Sequence, residues 1–149
     1  MHTMMDRWEG TWEGEGRGEY PTIEDFTYSE TVTLSRLADK PVLAYTQRTR
    51  SPEGKPLHAE TGYYRFGQDK VELLIAQPTG IVEVHEGSFE GNRILFHQVG
   101  LASAPTAVEV EEVRRTIEVD GDALSYTLDM AAVGQPMTFH LEARLLRQA

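Results

Sequence analysis

The chain has 149 residues, 40% hydrophobic and 26% charged, ordinary values for a globular domain and unlike those of a disordered or fibrous chain. Its formal net charge of −10, from 24 acidic and 14 basic side chains, repels phosphate backbones and argues against nucleic acid as a partner. Cysteine is absent, which excludes disulfides, thiolate-held zinc and iron–sulfur clusters.

One domain spanning residues 1–149 is expected from that length, with about 68–70% of the unfolded surface buried on folding. The Met-rich start MHTMMDRW has no apolar signal core, and the longest apolar run, Leu73-Leu74-Ile75-Ala76, falls far short of the ~20 residues of a spanning helix. A cytoplasmic protein without membrane contact is the expectation. In chain order, residues 1–8 are the one stretch expected to be helical, as a cap on one end of the fold. Strands are expected over 12–20, 26–37, 42–50, 56–66, 71–76, 81–86, 88–90, 93–98, 107–119, 124–131 and 139–146, each rich in Val, Ile, Thr and Tyr with period-2 alternation. The clearest sets Leu124, Tyr126, Leu128 and Met130 against Ser125, Thr127, Asp129 and Ala131, after the turn Asp120-Gly121-Asp122.

Between these runs lie short connections such as Asp39-Lys40-Pro41 and Glu90-Gly91-Asn92, which suit hairpins between sequence-adjacent antiparallel strands. Apolar phase changes from Val108 and Val110 to Val113, Ile117 and Val119, which predicts a β-bulge near Glu111-Glu112 and a bent strand. The fold class is therefore all-β, with about ten antiparallel strands; closure into an up-and-down barrel and splitting into a sandwich are both compatible with the pattern.

Four glycines alternate in Gly10-Thr11-Trp12-Glu13-Gly14-Glu15-Gly16-Arg17-Gly18, so one strand face is stripped for tight packing around Trp12 or for a flat ligand. The run lacks the Lys-Ser/Thr of a phosphate loop and is crowded by Glu, so it is not a phosphate cradle. Of the five histidines, His2 sits in a terminus expected to fray, and His85 and His97 have polar neighbours that suit a surface role. His58 and His140 show no HExxH, HxxxH or clustered-carboxylate spacing, so neither belongs to an ordinary zinc or non-haem iron site. A lone His in an apolar cavity remains sufficient as the single axial ligand of a haem.

GTWEGEGRGEYPTI (10–23), HAETGYYR (58–65), AQPTGIVEVHEG (76–87) and QPMTFHL (135–141) together resemble the nitrobindin family, with its G-x-W-x-G-x-G motif, and they span nearly the whole chain in order. The resemblance implies a ten-stranded antiparallel up-and-down β-barrel, like lipocalins and fatty-acid-binding proteins. It also implies one ferric haem b per chain, nitric oxide binding, and isomerisation of peroxynitrite to nitrate. His140 matches the family's proximal iron ligand, Thr22 a haem-contacting threonine, and His58 and Met130 cavity-wall positions. Ligation through His140 Nε2 would leave Nδ1 to donate an orienting hydrogen bond. It would also leave the sixth iron position open.

Alternation pulls the other way, because it groups His140 with Glu142 and Arg144, while Phe139, Leu141, Ala143 and Leu145 share the other face. Three explanations stand: a polar lower lumen, an outward apolar stripe buried in a homodimer, or a bulge after Pro136 that shifts the phase. The competing functional class is a non-catalytic carrier of a small apolar ligand in a lipocalin-like barrel.

Overall fold

The computed structural model describes residues 2–149, and side chains from residue 4 onward; that of His2 lies outside the described residues. A short helix α1 (His2–Trp8) precedes ten strands: β1 (Gly10–Tyr20), β2 (Ile23–Arg36), β3 (Val42–Arg50), β4 (Pro56–Phe66), β5 (Val71–Ala76), β6 (Ile81–Glu90), β7 (Arg93–Ser103), β8 (Val110–Asp120), β9 (Ala123–Ala132) and β10 (Thr138–Arg147). Each strand pairs antiparallel with its sequence neighbour, and β1 pairs with β10 from Trp12 opposite Arg147 to Gly18 opposite Leu141, so the sheet closes as a barrel. Closure removes the free edges that a sandwich of this composition would have left.

Two expected strands, 81–86 and 88–90, are one, because Gly87 stays in the ladder opposite Val71 and Phe96. The expected bulge in β8 is present, with register shifting between Val110 and Glu112 against β9. Gly91 and Gly121 have φ of +64° and +60° and nothing within 4 Å of a would-be Cβ. Both turns therefore use glycine for its left-handed conformation.

Gly16 and Gly18 serve a different purpose. A Cβ on Gly16 would lie 2.5 Å from the Tyr28 ring, and one on Gly18 would lie 2.3 Å from the Phe26 ring. The stripped face of β1 thus makes room for two aromatic rings of β2.

The core fills one half of the barrel. Trp8 sets its ring edge-on to Tyr64, Phe66 and Phe89 at centroid distances of 5.6, 6.4 and 6.0 Å, spacings that favour aromatic pairs. Trp12 is fully buried, donates from Nε1 to the Trp8 carbonyl at 3.0 Å, and carries the Arg147 guanidinium over its outer side. With one end plugged by α1, space remains towards the other. No helix among the described residues is long and apolar enough to cross a membrane.

Candidate functional site

That space is a cavity of about 910 Å³, at the upper end of the range for small-molecule and cofactor pockets. Its apolar side includes Phe26, Leu128, Met130 and Leu141, and its polar side includes His58, Glu60, Glu83 and Arg115. His140 lines the same cavity.

The local register explains how His140 comes to face inward. Phe139 pairs with Asp129 and Leu141 with Leu128, so β10 carries one more residue than β9 between them, and that residue is His140. The inserted residue shifts the phase: His140 and Leu141 both line the cavity. Phe139 lies instead beneath the Arg17 guanidinium, 4.9 Å from its ring centroid. Of the three explanations left open by alternation, the bulge is the one observed.

The imidazole is held on several sides. Its Nδ1 lies 2.9 Å from the Glu19 carbonyl oxygen, which can only accept, so Nδ1 carries the proton and Nε2 keeps its lone pair. The Tyr20 and Phe26 rings meet it edge-on at centroid distances of 5.3 and 6.3 Å. Tyr20 is itself fixed, donating from its hydroxyl to the Met130 carbonyl at 2.9 Å and accepting from the Ala132 amide at 3.0 Å. Burial lowers the pKa of His140, the Glu19 hydrogen bond opposes that, and charge on His58 adds to the lowering. The ring is therefore held neutral, as a metal ligand must be.

His58 and Met130 line the cavity with His140. Thr22 does not line it; it is exposed in the turn joining β1 to β2. His97 is exposed as expected, whereas His85 is fully buried. The surface role expected of His85 is thereby corrected: Glu83 and His85 point inward along β6 while Val82 and Val84 face outward, and His85 Nε2 lies 2.7 Å from Glu83 Oε1.

Sequence reasoning missed the charge cluster to which Glu83 belongs. Arg115 donates from Nη1 and Nη2 to the two Glu60 oxygens at 3.1 and 3.0 Å, and from Nε and Nη2 to the two Glu83 oxygens at 3.1 and 3.0 Å. Such forked pairs are the strong form of charge-assisted hydrogen bond. Burial alone would raise Glu60, but Arg115 and His58 overcome it and hold the carboxyl down to about 2. The signal lay in phase: Glu60 shares a face with Tyr64 and Phe66, and Arg115 with Val113 and Ile117.

A second carboxylate group sits deeper. Tyr126 donates to Glu30 Oε1 at 2.5 Å and its hydroxyl lies 2.8 Å from that of Tyr28. Burial pushes Glu30 up to about 7 against the hydrogen bonds from Tyr126 and Gln47.

Among the described residues no group of three or more His, Asp or Glu is placed to hold a metal ion. A prosthetic group that brings its own equatorial donors needs only one protein nitrogen. The neutral Nε2 of His140, opening on an apolar-sided cavity, fits that requirement.

Residues 3–147 match the family described as THAP4-like, heme-binding beta-barrel domain. Peroxynitrite isomerase 2 of Mycobacterium avium is 49% identical over 147 residues, covering 93% of this chain and 89% of its own. Peroxynitrite isomerase 1 of Mycolicibacterium paratuberculosis is 48% identical with the same coverage. Among solved structures, the crystal structure of Rv2717c from M. tuberculosis superposes with a TM-score of 0.91 at 44% identity, over 99% of this chain and 96% of that one.

Proposed function

The chain belongs to the family of THAP4-like heme-binding beta-barrel domains, and from that premise we propose that it is a haem-dependent peroxynitrite isomerase. His140 Nε2 would hold one haem b per chain in the cavity, where the iron would be available to peroxynitrite or nitric oxide. The observation that carries this reading is the commitment of His140 Nδ1 to the Glu19 carbonyl, which leaves Nε2 unprotonated in a cavity of about 910 Å³. A carrier of an apolar ligand could use the same volume but has no use for an imidazole so fixed.

When bound, ferric haem supplies a Lewis-acidic, redox-active iron that promotes cleavage of the peroxynitrite O–O bond and rearrangement to nitrate. The protein's part is positional. The Glu19 carbonyl sets the tautomer and angle of His140, and the Tyr20 and Phe26 rings limit its tilt. Phe26, Met130 and Leu141 offer an apolar wall that would limit the access of water to the bound group. We assign to Thr22 the haem contact that the family resemblance implies, made from its turn.

Stopped-flow mixing of peroxynitrite with the hemin-loaded protein tests the assignment. Faster decay than with haem-free protein, with nitrate as product in place of nitrite, is the expected result. Equal decay and equal product ratios with and without haem would remove the enzymatic reading.

A further inference from the structure

His140 is not the only histidine that faces the cavity. His58 lines it from β4, with its side chain 29% exposed, and charge on His58 is felt at His140. Its backbone is pinned, since the His58 amide donates to Thr49 Oγ1 at 3.0 Å. Its ring is pinned as well: Nε2 lies 3.1 Å from Glu60 Oε2.

Glu60 is an unusually committed partner. It takes two hydrogen bonds from Arg115, one from the Tyr45 hydroxyl at 2.9 Å, and the contact with His58. A carboxylate surrounded by that many donors stays ionised and can only accept, so the His58 proton resides on Nε2. Nδ1 is then the one ring nitrogen left for a ligand. The arrangement is that of an imidazole oriented by a buried carboxylate, with Arg115 and Glu83 in turn fixing the carboxylate.

Building on the haem reading above, we propose that His58 is a catalytic residue whose Nδ1 accepts the proton of peroxynitrous acid and then hydrogen-bonds the resulting anion in the cavity. Conversion of peroxynitrous acid to nitrate releases one proton, so a base is required whenever the acid form enters. The O–H bond breaks, its electron pair stays on oxygen, and an Nδ1–H bond forms; the imidazolium is stabilised by Glu60 and passes the proton to water at its exposed edge. Glu60 and Arg115 are positioning residues, acting through His58.

Fluoride, a small anion that binds ferric haem, is the probe. In hemin-loaded protein whose Soret band depends on His140, fluoride binding to wild type should take up one proton onto Nδ1; His58→Leu should weaken binding about tenfold, the loss of one charge-assisted hydrogen bond, and abolish that proton uptake, while His58→Gln keeps most of the affinity. Nitrogen chemical shifts of the haem-free wild type should show His58 protonated on Nε2, and Glu60→Gln should alter that tautomer balance. Equal fluoride affinity in wild type and His58→Leu overturns the proposal, as does an Nδ1-protonated His58. A low-spin six-coordinate spectrum abolished by His58→Leu would also overturn it, by making His58 an iron ligand. If wild type takes up no hemin, the haem reading fails first and this one with it.

Discussion

His140 occupies the single position where β10 runs one residue ahead of β9, between the pairs Phe139–Asp129 and Leu141–Leu128. Two ring nitrogens then have separate tasks, with Nδ1 given to the Glu19 carbonyl and Nε2 left towards the cavity. The deeper carboxylates make opposite demands on pH. Glu30, raised from 4.5 to about 7, holds its proton better folded than unfolded, so its contribution to stability is full below pH 4.5 and is lost as pH rises to about 7. Glu60, lowered to about 2, contributes above pH 4.5 and loses that contribution as pH falls towards 2. Replacing Glu30 by Gln removes the first term. The stability of Glu30→Gln relative to wild type should rise by roughly 3 kcal/mol between pH 4.5 and pH 7.5, measured by urea denaturation; a pH-independent difference would contradict the assignment. His140, whose lowered value acts in the opposite sense to Glu30, is common to both proteins and cancels. At this scale the cavity positions of His58 and His140 were legible because both lie in segments that carry the resemblance, and that of Met130 because it alternates with polar residues on the face of β9 that also carries Leu124 and Leu128. His85 was not, because a histidine beside Glu83 and Glu86 has the look of a solvated position, and only the presence of Arg115 on a strand distant in sequence makes its burial tolerable.

The strands were legible because half-buried sheet imposes a period of two, and the ends of β3, β4 and β5 fall where alternation stops. Bulges resist such reading unless apolar residues lie on both sides of the phase change. Val110 and Val113 flank the bulge in β8 and reveal it; at His140 the change replaces an apolar residue by a polar one, and pattern alone aims the ring outward. Helix α1 belongs to the same scale. Seven residues are too few for an isolated helix in water, so α1 is held by the burial of Met5 and Trp8 against the barrel end. Trp8→Ala should therefore cost about 3–5 kcal/mol and expose the rings of Tyr64, Phe66 and Phe89, read as a fall in the urea midpoint. A change under 1 kcal/mol would show that the end of the barrel closes without the helix.

Across the whole molecule, β-closure was the one architectural choice that composition left open, because alternating strands satisfy a sandwich and a barrel alike. Pairing of β1 with β10 decides it and brings Glu19 beside His140, residues near opposite ends of the chain. The closure is uneven. Strand β7 pairs with β8 from Arg93 opposite Glu118 to Phe96 opposite Arg115. Beyond that, the Gln98 side chain bridges the two, accepting from the Val113 amide at 2.9 Å and donating to the Glu111 carbonyl at 3.1 Å. Amide exchange should be fastest, among strand residues, at those amides in the second half of β7 that face β8, since the other side of that stretch stays paired with β6; uniform protection around the barrel would contradict this.

All of the proposed chemistry depends on haem held by one nitrogen, His140 Nε2, and the most direct test is a hemin titration of wild type beside His140→Gly, with and without added imidazole. The account predicts a sharp Soret band with wild type, weakened hemin binding and an altered spectrum with His140→Gly, and recovery of the wild-type spectrum when imidazole fills the space left by the side chain. Equal affinity and identical spectra for the two proteins, without imidazole, would contradict it.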